Sequence, residues 1–462
     1  MQKGEVTAFL SLIFILLMAM VGGLMESASI QMAKNYRRSD VNRALESVFA
    51  EYQKELLENY DIFALETSYE RGMYSEDYIK KRLAYFGAGG MDHDIQKIEF
   101  LTDNNARAFY EQILYYMEHK YGLNMMKNKI SMTDLWKKQE KDSKEYSKEE
   151  NEKRGNLEDL LQDEGKKLPE ENNPIGYVDD LKQTPLLNLI VPEGMTVSGK
   201  SFNLDESLSV REKNQGYGDF TDESKDTGTM SNLLFGEYLL THFSAATDSI
   251  SDKKTDHAKT GVLDYELEYI CAGKRSDREN LEFIAKKILL FRFGTNFLFL
   301  INSAAKCAQA ETLALTLCSL AAVPALSEAV KHAILLAWSY GESIMDLRVL
   351  LKGQKVPYAK SEESWQLSLS GLMKLKENGS INDGKNCSDG ISYQEYLRMI
   401  LFLEKKEKIS MRALDMIEQN MKKKYGLDFF RADFCLSKIQ IKSRCSLRRG
   451  VTYEFSTYFG YQ

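Results

Sequence analysis

Few residues in this chain combine type and spacing in a way that could do chemistry. Its five histidines, His93, His119, His242, His257 and His332, lie far apart, and none belongs to the H-E-x-x-H pattern that sets two imidazoles on one helix face. Asp92-His93-Asp94 offers three residues of metal-ligating type in a row. Adjacent side chains rarely converge on one ion unaided, so a surface loop is the simpler expectation. Gly273-Lys274-Arg275-Ser276 carries the tail of a phosphate-binding loop, but the position of that motif's first glycine is Glu268, and without it the backbone cannot curl into a cradle. Gly87-Ala88-Gly89-Gly90 has no strand immediately before it and no Lys-Ser after it, and reads as a turn. Neither a G-x-S-x-G elbow nor a Cys-x-x-Cys pair occurs. The sequence therefore nominates no catalytic, cofactor-binding or metal-binding residue.

Six cysteines (Cys271, Cys307, Cys318, Cys387, Cys435 and Cys445) are too few and too scattered for a disulfide-dense scaffold. Their even number permits bridges without requiring them. Cys307 and Cys318 sit in apolar helical runs, as small buried hydrophobes do. A net charge of −7 gives no basic footprint for nucleic acid. At 462 residues the chain has ample length for a sizeable core.

The stretch that must position everything else is the first one. Twenty uncharged residues, Val6 to Met25, run between Glu5 and Glu26. As a helix they span roughly 30 Å, the thickness of a bilayer's hydrocarbon core. Lipid is thus the first expected partner. Helical periodicity continues through Val41, Leu45, Val48, Tyr52 and Leu56, and no Pro or Gly interrupts residues 24–66. One long helix over 1–66 is expected. The positive region before the span is thin, no A-x-A site follows, and the run is longer than a signal core, so the span reads as a retained anchor.

Further along, residues 74–85 read as a short helix, 95–101 as a strand, and 104–120 as a helix with Phe109, Ile113, Tyr116 and Met117 on one face. Residues 137–154 are packed with charges of both signs. They form either a linker or exposed insertion, or a solvated helix held by i,i+4 pairs; the linker is expected. Four of the six prolines fall within 169–192, and 194–228 reads as mobile loop. Helices are expected over 233–243, 278–307, 311–321 and 326–351, the second opened by a capping box of Ser276 and Glu279. Lys286, Lys287, Arg292 and Lys306 interrupt the first of the last three, and the apolar run from Leu313 to Ala322 spans only ten residues, too short to cross a membrane, so these are buried core helices.

Alternation at 264–270 and the segment 365–369 suggest strands. Residues 392–425 are helical with a break near Lys408. The chain closes in a hairpin, 433–443 with 450–459, whose basic loop (Arg444, Arg448, Arg449) is a solvated turn or a contact for an acidic partner. A strand, polar loop and amphipathic helix at 95–114 recur at 265–289 as a faint internal echo. Four segments follow: 1–66 anchor and extended helix, 67–136 a small α/β segment, 137–231 charged linker and irregular loops, and 232–462 a helical core with the hairpin. The fold class is α+β, mostly helical with small antiparallel β elements.

The opening KGEVTAFLSLIFILLMAM, with ESVFAEYQKELLENYDIFALE after it, resembles the amino-terminal helix of pilin-like and pseudopilin-like proteins of tight-adherence pili. Together with LDYELEYICAGKRSDRENL, ISYQEYLRMILFLEKKEKISMRALDMIEQN and the closing VTYEFSTYFGYQ, it is similar to an uncharacterised Gram-positive bacterial family whose members sit beside tight-adherence pilus genes. The resemblance extends over nearly the whole chain and assigns no catalytic residue. It implies a single-pass membrane protein with an extracytoplasmic body, partnered by other proteins of a pilus or envelope assembly. The charge rule alone points the other way, since Lys34, Arg37, Arg38 and Arg43 follow the span and would place that side in the cytoplasm.

Pilin-like precursors are cut after a glycine and carry Glu five residues further on. Here Gly4 and Glu5 form the possible processing site, but the fifth residue after Gly4 is Phe9, which favours an assembly or anchoring role over a filament subunit. The alternative in a different class is a cell-envelope enzyme whose site is assembled from residues distant in sequence.

Overall fold

A computed structural model describes residues 2–122, 127–220, 228–248, 261–376 and 384–461. It divides into two compact units: Met1–Tyr115 with Glu212–Lys225 and Tyr425–Gln462, and Tyr116–Arg211 with Asp226–Lys424. The C-terminal hairpin thus groups with the N-terminal helix, not with the helices that precede it in sequence.

The first unit opens with α1 (Gln2–Phe49), a single helix of 48 residues and about 72 Å. The expected helix over 1–66 ends earlier, at Phe49. There the Phe49 ring meets Phe459 at 4.4 Å and Tyr461 at 5.0 Å between centroids, and the Tyr461 hydroxyl donates to the Phe49 carbonyl. That bond satisfies one of the carbonyls a helix end leaves open. The Gln53 N–H turns away to Ala64 O at 2.9 Å, and the periodic pattern resumes in a separate α2 (Lys54–Tyr60) that buries Leu56 and Tyr60.

Then come β1 (Leu65–Glu66), α3 (Glu76–Leu83), β2 (Asp92–Phe100) and α4 (Asp103–Tyr121). The closing strands β3 (Cys435–Ser446) and β4 (Thr452–Gly460) form the expected hairpin. Every pairing is antiparallel, and β3 is the shared strand, bonded to β1, β2 and β4. Register sets Ile98 and Phe459 on either side of Ile439, and Ile95 beside Ile441. This face packs on Val41, Ala44, Leu45, Val48 and Phe49 of α1, with Ile79 and Leu83 of α3 closing the core.

The second unit is helical. It contains α5 (Lys127–Asp163), α6 (Pro174–Gln183), α7 (Leu186–Ile190), α8 (Thr229–His242), α9 (Glu266–Ala272), α10 (Asp277–Asn302), α11 (Ala304–Leu320), α12 (Ser327–Leu351), α13 (Leu369–Leu372), α14 (Tyr393–Leu403) and α15 (Lys406–Tyr425). The capping box at Ser276 and Glu279 opens α10 as expected. Helices α10 and α12 pack together with Ile284, Ile288, Phe297 and Leu300 buried on one side and Ile334, Trp338, Ile344 and Leu347 on the other. They are core helices, and α11, bent 88° from α10 at Ser303, lies on α12 through Ala310, Ala314, Leu317 and Cys318.

Several sequence expectations are corrected here. The charged run 137–154 is not a linker but the middle of α5. Its surface is laced by i,i+4 pairs (Lys144 to Glu140 and Lys153 to Glu149, each 2.7 Å), while Trp136, Ser143 and Leu157 are buried and Tyr146 meets the Phe297 ring edge-on. One buried stripe and a paired outer face are enough to order it.

The alternation at 264–270 is not a strand: α9 buries all seven of its residues, including Glu266 and Glu268. The two carboxylates that mimic a solvent face accept from Ser244 N and Ala246 N inside the core. With no strand there, the internal echo of 95–114 disappears.

Residues 365–369 pair with no strand either, because the Gln366 and Leu367 N–H groups are taken by a buried carboxylate, that of Glu342. Residues 194–220 are irregular, with one short helical turn at Leu204–Glu206, yet held: Ser198 Oγ reaches Asp277 at 2.6 Å and Gly216 N reaches Asp103 at 3.1 Å. The remainder of that expected loop, 221–227, lies outside the described residues.

Candidate functional site

The first candidate feature is the apolar start of α1. Residues 4–25 of α1 are exposed throughout, at a mean hydropathy of 2.5, and the helix is a candidate membrane span. Eleven of the twenty residues in the span are Leu, Ile, Phe or Val. At about 0.5 kcal/mol each they favour insertion by roughly 5 kcal/mol, with no charge inside to oppose them. Gly4 and Glu5, the possible processing site, lie exposed in its first turns.

Past Met25 the helix does not break. Glu26, Ile30, Ala33, Lys34 and Arg37 are half-buried on one stripe that runs into the fully buried Val41 and Ala44. Lys34 Nζ sits 5.2 Å from the Tyr453 ring and Arg43 pairs with Asp40 at 3.1 Å, so two of the four basic residues after the span are engaged within the fold. The opposite face carries Met32 and Tyr36 in solvent. A span and the core of a sheet unit therefore share one rigid rod.

The second feature is polar and hidden. Arg292 and Asn296 project from α10, Glu342 and Asp346 from α12 one turn apart, and Lys360 from the segment after α12. Arg292 Nε donates to Asp346 Oδ2 at 2.8 Å and its Nη1 to Pro357 O at 2.8 Å. Lys360 Nζ stands 2.5 Å from Glu342 Oε1 and 2.8 Å from Asp346 Oδ1. All four charged side chains have zero exposure. Burial pushes the Glu342 carboxyl up from its ordinary range, with the Lys360 ammonium opposing; at Asp346 the Arg292 and Lys360 charges outweigh burial and hold the carboxyl down. Two carboxylates four residues apart are thus driven in opposite directions.

The cluster was visible in the sequence only as interruptions, a lone Arg in ILLFRFGTNFLFL and two acids in WSYGESIMDLRVLL. A charge that an apolar helix carries into the interior is almost never left unpaired. That signal was available; the position of Lys360, in an irregular segment, was not.

The candidates weighed from sequence do not converge. His93 lies in β2, not in a loop, with Nδ1 at 2.9 Å from Ser443 Oγ and Nε2 at 3.0 Å from Ala88 O, so both ring nitrogens are occupied. His242 stacks on Tyr238, and His332 lies 2.9 Å from Lys153 Nζ, its pKa lowered by burial and then by that cation. His257 lies outside the described residues. Among the described residues no group of three or more His, Cys, Asp or Glu could hold a metal ion.

At Gly273 the chain takes a left-handed turn (φ 67°) that caps α9. Gly273 N bonds Tyr269 O and Lys274 N bonds Asn280 Oδ1, so these two donors are spent inside the fold. Arg444 is part of β3 and bonds Glu454 at 2.6 Å. All six cysteines are free thiols, Cys318 buried and Cys307 half-buried.

Residues 164–447 match a family described as a family of unknown function (DUF5702). The match begins after α1 and does not include it. No curated protein and no solved structure matches the chain.

Proposed function

The chain belongs to this family of unknown function, DUF5702, and from that premise we propose that it is a non-enzymatic, single-pass membrane protein serving as a structural or assembly component of a tight-adherence-type pilus or other cell-surface system. Its body faces away from the cytoplasm. The observation that carries this is α1 itself: an exposed apolar span that continues unbroken into a buried seat at Val41, Leu45 and Val48. A flexible tether would localise the body; a rigid helix also fixes its height and transmits force, which an assembly component needs. Engagement of Lys34 by Tyr453 supports placing this cation beside the body despite the charge rule.

The test has two parts. Protease added to intact cells stripped of their wall should digest the body, and complete protection would reverse the orientation. A photo-crosslinking residue at Tyr36, 66 % exposed on the outer face of α1, should capture a pilus subunit or assembly protein; capture of lipid alone would remove the assembly role. Intact mass of the membrane-extracted protein should show a start at Met1 or Glu5. A mature terminus between residues 24 and 29, recovered from the medium, would instead mean a secreted protein.

A further inference from the structure

Lys360 and Glu342 meet in a closed site that holds every part a condensation requires. We propose that Lys360 Nζ and the side-chain carboxyl carbon of Glu342 join in an intramolecular isopeptide bond, tying α12 to the segment that follows it.

Approach comes first. Nζ lies 2.5 Å from Glu342 Oε1, and both side chains are wholly buried, so the pair is held at contact with bulk water excluded. Fixing two reactants in this way is worth effective concentrations of roughly 10⁵–10⁸ M. Donors for the developing oxyanion are in place: Leu367 N–H donates to Glu342 Oε2 at 2.8 Å and Gln366 N–H reaches the same oxygen at 3.4 Å. Their segment is pinned by Trp338 and Trp365, whose indole N–H groups both donate to Leu367 O at 2.7 Å. A base is also present. Asp346 Oδ1 is buried 2.8 Å from Nζ, within reach of its proton. Arg292 holds the other Asp346 oxygen and keeps that carboxylate ionised.

Charge balance selects Glu342 over Asp346 as the acyl partner. The cluster has two cations and two anions. Joining Lys360 to Glu342 removes one of each and leaves Arg292 and Asp346, already bonded at 2.8 Å, as a closed pair. Joining Lys360 to Asp346 would strand Arg292 and Glu342 as buried charges, since Lys360 is the cation paired with Glu342 among the described residues. Burying an ion pair is costly and a neutral amide is not, so the site itself favours the product.

The step balances without any co-reactant. A proton passes from the Lys360 ammonium to a Glu342 carboxyl oxygen, giving a free amine and a neutral acid. The amine lone pair forms the C–N bond, and the oxygen charge that develops faces the Leu367 and Gln366 N–H groups. Asp346 Oδ1 accepts the proton from nitrogen and hands it to the departing hydroxyl. The C–O bond breaks and water leaves. Ammonium plus carboxylate becomes amide plus water, with nothing oxidised or reduced.

The experiment is the intact mass of the full chain, extracted from membranes and denatured, followed by peptide mapping. The expected result is a protein lighter by one water and a branched peptide joining the segments around Glu342 and Lys360. Full mass with separate linear peptides would overturn the proposal, and this holds for the unaltered protein, so it does not depend on a variant folding. Glu342→Gln changes the leaving group and should lose one ammonia in place of water. Loss of water from that variant, with Lys360 linked to Asp346, would overturn the assignment to Glu342, and Lys360→Arg should show full mass.

Discussion

Arg292 Nε lies 2.8 Å from Asp346 Oδ2, and neither side chain has any exposed surface. A charge so placed is stable only while its partner remains. Arg292→Met should therefore cost about 3–5 kcal/mol, because Asp346 then loses the guanidinium that holds its buried carboxylate. The double variant Arg292→Met with Asp346→Leu should cost clearly less than the single changes summed. Denaturant unfolding of the full chain in detergent measures both; additive costs would mean the two side chains do not act as a pair.

Leu45 is buried at the seat of α1 on the sheet, and Tyr36 is exposed little more than two turns before it on the same helix. Leu45→Ala should destabilise the first unit by roughly 2–5 kcal/mol through lost transfer energy and a cavity. Tyr36→Ala should fall within about 0.5 kcal/mol of the parent. Hydrogen exchange across β3 and β4 reads the difference. Equal effects at the two positions would show that the helix is not seated as described.

The Glu268 carboxyl, buried in α9, is pushed up from 4.5 to about 7 by desolvation, opposed by bonds from Ala246 N and the Tyr393 hydroxyl. The folded state holds this proton more tightly than the unfolded chain does. Its contribution is fully present below pH 4.5 and is lost as pH rises to about 7. The span of that loss corresponds to roughly 3 kcal/mol. Glu268→Gln keeps the acceptor and cannot ionise, so its stability relative to the parent should rise between pH 5 and pH 8 (about two thermal-melt comparisons suffice to see it). An unchanged difference over that range would place the titration elsewhere.

At Gly294 α10 lies tight against α5: a Cβ there would stand 3.1 Å from Ser143 Oγ and 3.3 Å from the Tyr146 ring. Gly294→Val should push the helices apart at a cost of about 1–3 kcal/mol. In the parent, limited proteolysis should leave residues 137–154 intact; in the variant, cutting should appear there first. Early cutting of the parent in that run would return it to the status of a linker.

Much of the architecture was legible because it depends on local chemistry. A twenty-residue uncharged run has one economical conformation in lipid, and Ser276 with Glu279, or the alternating Val451, Tyr453 and Phe455, declare a helix start and a strand within a few residues. The errors have a shared physical cause. Glu266 and Glu268 alternate with apolar residues as a half-solvated strand would, but Ser244, Ala246, Asn420 and Tyr393 meet them in the interior. The dense charges of 137–154 look solvated, yet Trp136, Ser143 and Leu157 give that helix a buried edge.

By itself, then, the sequence determined the long apolar helix at the start of the chain, the hairpin and the capped helix α10. Each follows from neighbours a few residues apart, whose interactions survive in any fold. Only the tertiary structure decided where α1 ends, since its last carbonyl is met by Tyr461 from the other end of the chain. It also decided that Arg292, Glu342, Asp346 and Lys360 form one buried cluster. Whether a charge is paired or solvated depends on what lies across the interior from it, and residues brought there from distant segments leave no periodic trace in the sequence.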